Sequence, residues 1–191
     1  AGSKISTKLE LIAHLNSKAD FIIVGGGIAN TFLKSQGFNV GESLVENDMI
    51  KIAEELFNSG KIILPNKVIV ADYVDSNYST TKKIDSVSSS DKIFDIHLSS
   101  NMSEILKSSK TILWNGPIGV FEKEPFQKGT HQLTKTIAKS KAFSLAGGGE
   151  TIAAINKFIN KDEVSYCSTG GGAFLEYMEG KILPSIEALG G

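Results

Sequence analysis

Four short apolar runs in this sequence each end in a glycine cluster, and that repetition restricts the fold more than any other feature. Phe-Ile-Ile-Val at 21–24 passes into Gly25, Gly26 and Gly27, and Thr-Ile-Leu-Trp at 111–114 passes into Asn115, Gly116, Pro117, Ile118 and Gly119. Phe-Ser-Leu-Ala at 143–146 leads to Gly147, Gly148 and Gly149, and Val-Ser-Tyr-Cys at 164–167 leads to Ser168, Thr169, Gly170, Gly171 and Gly172. Runs of this length suit buried strands, and helical patterns follow the clusters. Strand, tight loop and helix in alternation is the signature of parallel strands joined by crossover helices. The expected fold is therefore α/β, a Rossmann-like three-layer sandwich with an open, mainly parallel sheet and helices on both faces.

Two more strands are expected at 62–64 and 68–71, and helices around 9–15, 28–34, 44–57, 102–107, 130–139, 151–158 and 173–178. Residues 75–91, rich in Ser, Thr, Asp and Lys, read as an irregular or edge excursion. The tail 181–191, with Pro184 and terminal glycines, reads as at most a short helical turn. No internal boundary is visible, so 1–191 is read as one domain.

In open α/β sheets, ligands bind beyond the carboxyl ends of the strands, where these four clusters fall. A loop without Cβ atoms lets amides approach an anion, and the helix N-terminus behind it adds partial positive charge. A single cluster is equally well a tight turn. Four at one sheet edge point to a shared polyphosphate site. Neither common phosphate signature accounts for them. The Walker A pattern is absent, and Gly25-Gly26-Gly27-Ile28-Ala29-Asn30 departs from the dinucleotide fingerprint because Asn30 replaces its third glycine. Glu46 lies near the spacing of a ribose-binding acid, yet within a helical pattern.

Charge narrows the possible partners. With 20 basic and 21 acidic residues the net charge is -1, so neither a nucleic-acid nor a membrane-surface role is expected. Every basic residue is lysine; with no arginine, the chain cannot make a planar bidentate clamp on phosphate or carboxylate. The lone Cys167 cannot close an internal disulfide, no Cys/His spacing suits zinc, and no apolar stretch is long enough to span a bilayer. A soluble, cytoplasmic protein is expected. The polar start at Ala1, without methionine, suggests a chain that begins inside a longer polypeptide.

Several segments together resemble phosphoglycerate kinase, specifically its C-terminal, nucleotide-binding half. They are Ala-Gly-Ser-Lys-Ile-Ser-Thr-Lys at 1–8, Ile-Val-Gly-Gly-Gly-Ile-Ala-Asn-Thr-Phe at 23–32 and Trp-Asn-Gly-Pro-Ile-Gly-Val-Phe-Glu at 114–122. The triplet at Gly147 and Ser-Thr-Gly-Gly-Gly-Ala-Phe-Leu-Glu at 168–176 complete the set. The resemblance implies reversible phosphoryl transfer between ATP and 3-phosphoglycerate, giving ADP and 1,3-bisphosphoglycerate. Lys4 and Lys8 match lysines that reach the nucleotide phosphates and the group in transfer. Gly25, Gly26 and Gly27 match a wall beside the base and ribose; Asn115, Pro117, Gly119 and Val120 match the opposite loop, and Glu122 a carboxylate that accepts from the ribose hydroxyls. Gly147, Gly148, Gly149, Glu150 and Thr151 match a helix start that cradles phosphates, with Glu150 the magnesium ligand. Gly170, Gly171 and Gly172 match amides that stabilise the phosphoryl group.

Two departures stand out. Glu150 replaces the family's usual aspartate, and His97 replaces a glycine said to line the adenine pocket. The other substrate, 3-phosphoglycerate, is held in the family by arginines and a histidine of an N-terminal domain, which this chain lacks. Little turnover is therefore expected from the chain alone, and the resemblance implies a monomer. A stand-alone nucleotide-binding regulatory module and a nicotinamide-dependent dehydrogenase are the alternatives. Trp114 is expected to serve packing, Cys167 to be a small buried residue, and His14 and His131 to be surface or partly packed histidines.

Overall fold

The computed structural model describes residues 1–190. Its elements run α1 (Leu9–Lys18), β1 (Ile22–Ile23), α2 (Gly27–Ser35), α3 (Ile50–Phe57), β2 (Ile62–Ile63), β3 (Lys67–Ala71), β4 (Thr80–Lys83) and β5 (Lys92–Ile96). They continue with α4 (Ser100–Ser108), β6 (Thr111–Trp114), α5 (Lys128–Lys139), β7 (Phe143–Ala146), α6 (Gly149–Phe158), β8 (Tyr166–Cys167), α7 (Gly171–Met178) and α8 (Pro184–Ala188). The mixed α/β architecture expected from the glycine-ended runs is present, with mainly parallel pairing: β1 lies parallel to β2, and β7 lies parallel to both β6 and β8.

The strands do not form one continuous ladder. They fall into three open sheets, β1-β2, β4-β3-β5 and β6-β7-β8, and β3 pairs antiparallel with both of its neighbours. The excursion at 75–91 supplies the edge strand β4, whose four residues are almost wholly polar and mostly exposed. A polar strand is tolerated there because only one of its edges is paired. Strand β5 was not expected, because the charged Asp95 interrupts its apolar run.

Helix α3 is shorter than the expected 44–57. Its first regular residue is Ile50, after a 3-10 turn at Asn47–Met49. The preceding residues are held extended by α2, since the Asn30 amide donates to the Leu44 carbonyl at 3.2 Å and the Glu46 N–H donates to the Thr31 hydroxyl at 3.2 Å. Backbone groups bonded in this way are not free to join a helical ladder. Likewise β8 begins only at Tyr166, because Ser144 and Ser165 exchange backbone-to-hydroxyl bonds of 3.0 and 2.9 Å where a ladder would run.

The apolar interior is divided. One cluster joins Val68, Ile96, Met102, Trp114, Ile137 and Ile155, and a second joins Ile5, Ile12, Val24, Ile28, Phe32 and Ile62. Trp114 is buried as expected and donates its indole N–H to the Gly116 carbonyl at 3.0 Å. Cys167 is only half-buried at the end of β8.

Candidate functional site

The loops that leave β1, β6 and β7 converge, and the bonds that join them are backbone bonds or nearly so. The Gly26 N–H donates to the Ile118 carbonyl at 3.1 Å, and the Gly147 N–H donates to the Trp114 carbonyl at 3.1 Å. Asn115 and Thr151 lock the junction. The Asn115 amide donates to the Gly147 carbonyl at 2.8 Å, while the buried Thr151 hydroxyl donates to the same carbonyl at 2.7 Å and accepts from the Gly116 N–H at 2.8 Å. The polar atoms of Thr151 thus hold one loop against another.

The glycines of these loops are first a packing requirement. A Cβ on Gly25 would stand 2.6 Å from the Cβ of Ile118, and one on Gly147 would overlap the ring of Phe174. Gly26 combines a φ of +67° with the Gly2 carbonyl at 2.6 Å from where its Cβ would lie, so both conformation and space exclude a side chain.

A cleft of about 330 Å³ opens beside this junction. Gly26 and Gly27 line it with Pro117, Gly119 and Val120, and the exposed carboxylates Glu122 and Glu150 also reach it. Leu44, half exposed at 52%, adds an apolar side chain large enough to lie on a flat ring. Asp95 and Ile96 contribute from β5, whereas His97, at the position where the family usually has glycine, lies outside the lining. Its N–H instead donates to the Lys67 carbonyl at 3.0 Å, which extends the pairing of β5 with β3.

Lys8 stands at the start of α1, next to the site. Its ammonium donates to the Asn115 side-chain oxygen. Burial pulls its pKa below the ordinary lysine value, opposed by the negative charge of Glu150. An ammonium held this way is short of counter-charge, and a phosphate oxygen would supply it. Lys4 is exposed on the turn that precedes Lys8. That turn is fastened by Glu46, which accepts from the Ser6 N–H at 2.9 Å and also from the Ser6 hydroxyl. Sequence spacing marked Glu46 as a candidate ribose ligand, whereas its carboxylate oxygens are occupied by Ser6.

Glu150 lies in the first turn of α6, whose N-cap is Gly148 at φ +96°. No group of three or more His, Cys, Asp or Glu side chains able to hold a metal occurs among the described residues. A lone carboxylate does fit magnesium, which keeps most of its water and is usually bound through one or two carboxylates plus substrate phosphates. Gly170, Gly171 and Gly172 are exposed at the start of α7 and do not line the cleft. Gly149, at the α6 start, has open space around it.

Sequence reasoning missed Asp95. It is 1% exposed; one carboxylate oxygen accepts from the Gly129 N–H at 2.7 Å, and the other has no partner. Burial pushes its pKa from 3.8 up to about 7, against the lowering effect of backbone N–H donors. Gly119 and Gly129 must be glycines because a Cβ on either would run into this carboxyl group. The available signal was an acid flanked by Phe94 and Ile96 in an alternating strand.

Taken together, this is an open α/β fold with a glycine-walled cleft at the carboxyl ends of its parallel strands, with Glu122 and Glu150 in its lining and Lys8 beside it, within electrostatic reach of Glu150. Residues 1–181 match the family model described as phosphoglycerate kinase, and the chain belongs to the phosphoglycerate kinase family. It is 48% identical to a phosphoglycerate kinase of Coxiella burnetii and 51% identical to one of Haemophilus influenzae, in each case over 98% of this chain. The solved structure of the Coxiella enzyme superposes with a TM-score of 0.93, and the crystal structure of phosphoglycerate kinase from Pyrococcus horikoshii, 33% identical, with 0.81. The chain spans about half the length of these relatives, 50% in every case.

Proposed function

We propose that the chain is the C-terminal, nucleotide-binding half of a phosphoglycerate kinase, a glycolytic phosphotransferase with a carboxyl group as acceptor. The whole enzyme would interconvert ATP and 3-phosphoglycerate with ADP and 1,3-bisphosphoglycerate. The observation that carries this reading is the cleft: a backbone wall and apolar side chains line it together with Glu150, and Lys8 stands beside it, close enough for its ammonium to feel the charge of Glu150.

A flat base suits the slot between Gly26-Gly27 and Val120, where no side chain from the glycines intervenes. Glu122 would accept from ribose hydroxyls, a task for an ionised group with two free oxygens. Lys8, joined by Lys4 on its exposed turn, would meet the phosphates. The Lys8 ammonium would then exchange its bond with the Asn115 side-chain oxygen for one to phosphate, and the Asn115 amide would give phosphate the N–H it does not give the Gly147 carbonyl. Bound magnesium, held by Glu150 together with phosphate oxygens, would neutralise charge on the nucleotide. The amides of Gly147 to Gly149 and of Gly170 to Gly172 open α6 and α7, and fixed N–H groups at helix starts stabilise phosphoryl charge without reorganisation.

Phosphoryl transfer also needs a site for the anionic acceptor. With no arginine here, 3-phosphoglycerate would be bound by an N-terminal half, and the chain alone would turn over little or not at all.

Titration calorimetry with ADP in the presence and absence of magnesium tests this reading. Saturable binding that strengthens with magnesium is expected. Replacing Lys8 by Met removes a charge-assisted bond and should weaken it by about tenfold to a hundredfold. Binding that is indifferent both to magnesium and to Lys8→Met overturns the assignment. Mixing with a separately made N-terminal half should restore ATP formation from 1,3-bisphosphoglycerate; binding without rescue would instead mark a stand-alone module.

A further inference from the structure

Asp95 lines the cleft from β5 although it is almost wholly buried. Its Oδ2 accepts from the Gly129 N–H at 2.7 Å, while its Oδ1 has no partner. A buried polar atom without a partner gives up hydration and gains no bond in return, so its presence in a ligand cleft calls for a cause.

The surroundings of Oδ1 supply one. A Cβ on Gly119 would overlap Oδ1, and a Cβ on Gly129 would overlap both Oδ1 and the Ile96 carbonyl oxygen. The carboxyl is therefore wedged between the 117–120 loop and the start of α5. That loop is tied to the same strand one residue earlier, where the Val120 N–H donates to the Phe94 carbonyl at 2.8 Å. Two acceptor oxygens crowded against one glycine repel each other when the carboxyl is ionised, whereas a proton on the carboxyl removes the charge and supplies a donor. Burial acts in the same direction and carries the pKa up to about 7.

The charged groups nearby stand apart from this balance. β3 sets Ile69 opposite Asp95 and keeps Lys67 at its exposed start; α5 and the turn before it carry Lys128, His131 and Glu124 at the surface. Lys157 reaches the loop only at the Phe121 carbonyl. Lys92, Glu42, Glu122 and Glu150 lie along the cleft, and His97 follows on the same strand. Burial and the N–H groups of Gly129 and Ile96 set the titration of Asp95.

An ionised Asp95 regains hydration by turning toward the cleft, which displaces Gly119 and the loop behind it. A nucleotide in the cleft expels that water, and its negative charge opposes the carboxylate. We propose that Asp95 is a positioning residue of the nucleotide site, its undissociated carboxyl seating the 117–120 loop, so that nucleotide binding is coupled to uptake of one proton from solvent by this side chain. The inference rests on the nucleotide reading of the cleft. Linkage makes the effect reciprocal: ionisation weakens binding, and bound nucleotide resists ionisation. Affinity is then complete below about pH 6 and falls as pH rises through about 7.

Titration calorimetry of magnesium-ADP into the wild-type chain and into Asp95→Asn, at about pH 6 and about pH 8.5 in buffers of different ionisation enthalpy, tests the coupling. Across that range the wild type should lose about fivefold or more in affinity relative to the variant, and at about pH 7 it should take up a fraction of a proton that the variant does not. Titration of the nucleotide and of Lys8 is common to both proteins and cancels. Where the variant fails to fold, carboxyl-carbon NMR of the wild-type chain reads the same coupling, since the Asp95 midpoint should rise when magnesium-ADP saturates the cleft. Binding with the same pH dependence in both proteins, or an Asp95 midpoint that nucleotide does not move, overturns this inference and leaves the nucleotide reading standing. Absence of ADP binding by the wild-type chain at both pH values overturns that reading and this inference with it.

Discussion

The sharpest prediction concerns Asp95, whose carboxyl is 1% exposed and has one oxygen without a partner. Its pKa in the fold is about 7, raised by burial from 3.8. The folded value is the higher one, so the neutral form is favoured by folding. Its stabilisation is complete below about pH 4 and is lost as pH rises through about 7. At 1.36 kcal/mol per pH unit, a separation of about three pH units amounts to about 4 kcal/mol, of which about 3 kcal/mol falls between about pH 4.5 and about pH 8. Asp95→Asn keeps a neutral carbonyl for the Gly129 N–H and cannot ionise. Urea unfolding at both pH values should show the wild-type chain losing stability relative to the variant, with the variant the more stable of the two at about pH 8. The pH-dependent difference between the two proteins cancels the remaining titrating groups. Equal slopes for both proteins would refute the claim that Asp95 is buried neutral beneath the cleft.

Other outcomes are equally direct. Phe32 is fully buried in the second core cluster, so Phe32→Ala should cost about 3–5 kcal/mol in denaturant unfolding. Gly25→Ala places a methyl group against Ile118; it should cost about 1–3 kcal/mol and, by moving the 117–120 loop, weaken nucleotide binding measured by calorimetry. Glu46→Ala frees the turn that carries Lys4 and Lys8 and should lower magnesium-nucleotide affinity, whereas an unchanged affinity would show that the turn holds its shape without Ser6 being bonded. Glu150→Ala should abolish the strengthening of nucleotide binding by magnesium while leaving metal-free binding in place.

The elements that mattered most to the site were legible because their signals are local. A four-residue apolar run ending in glycines reads as a strand entering a loop, and β6 and β7 lie where those runs lie. Other features escaped because distant residues decide them. Residues 44–46 have a helical pattern, yet Asn30 and Thr31 take their backbone groups. Asp95 reads only as an acid between Phe94 and Ile96, and the start of α5, bonded to it through the Gly129 N–H, makes it a buried one. The glycine loops read as phosphate cradles; several of the same glycines are also required by Ile118, Phe174 and the Asp95 carboxyl, contacts that cross from one element to another.

By itself the sequence determined the order of strands, glycine loops and helices, which depends on periodicity and on conformations available to single residues, and its segments at 1–8, 23–32 and 114–122 carried the resemblance to the family. Tertiary structure decided which strands pair, that β3 runs against its neighbours, and that Glu46 clamps a turn. Each of these is a contact between residues far apart in the chain, and burial and pairing at long range leave no period in the sequence that would record them.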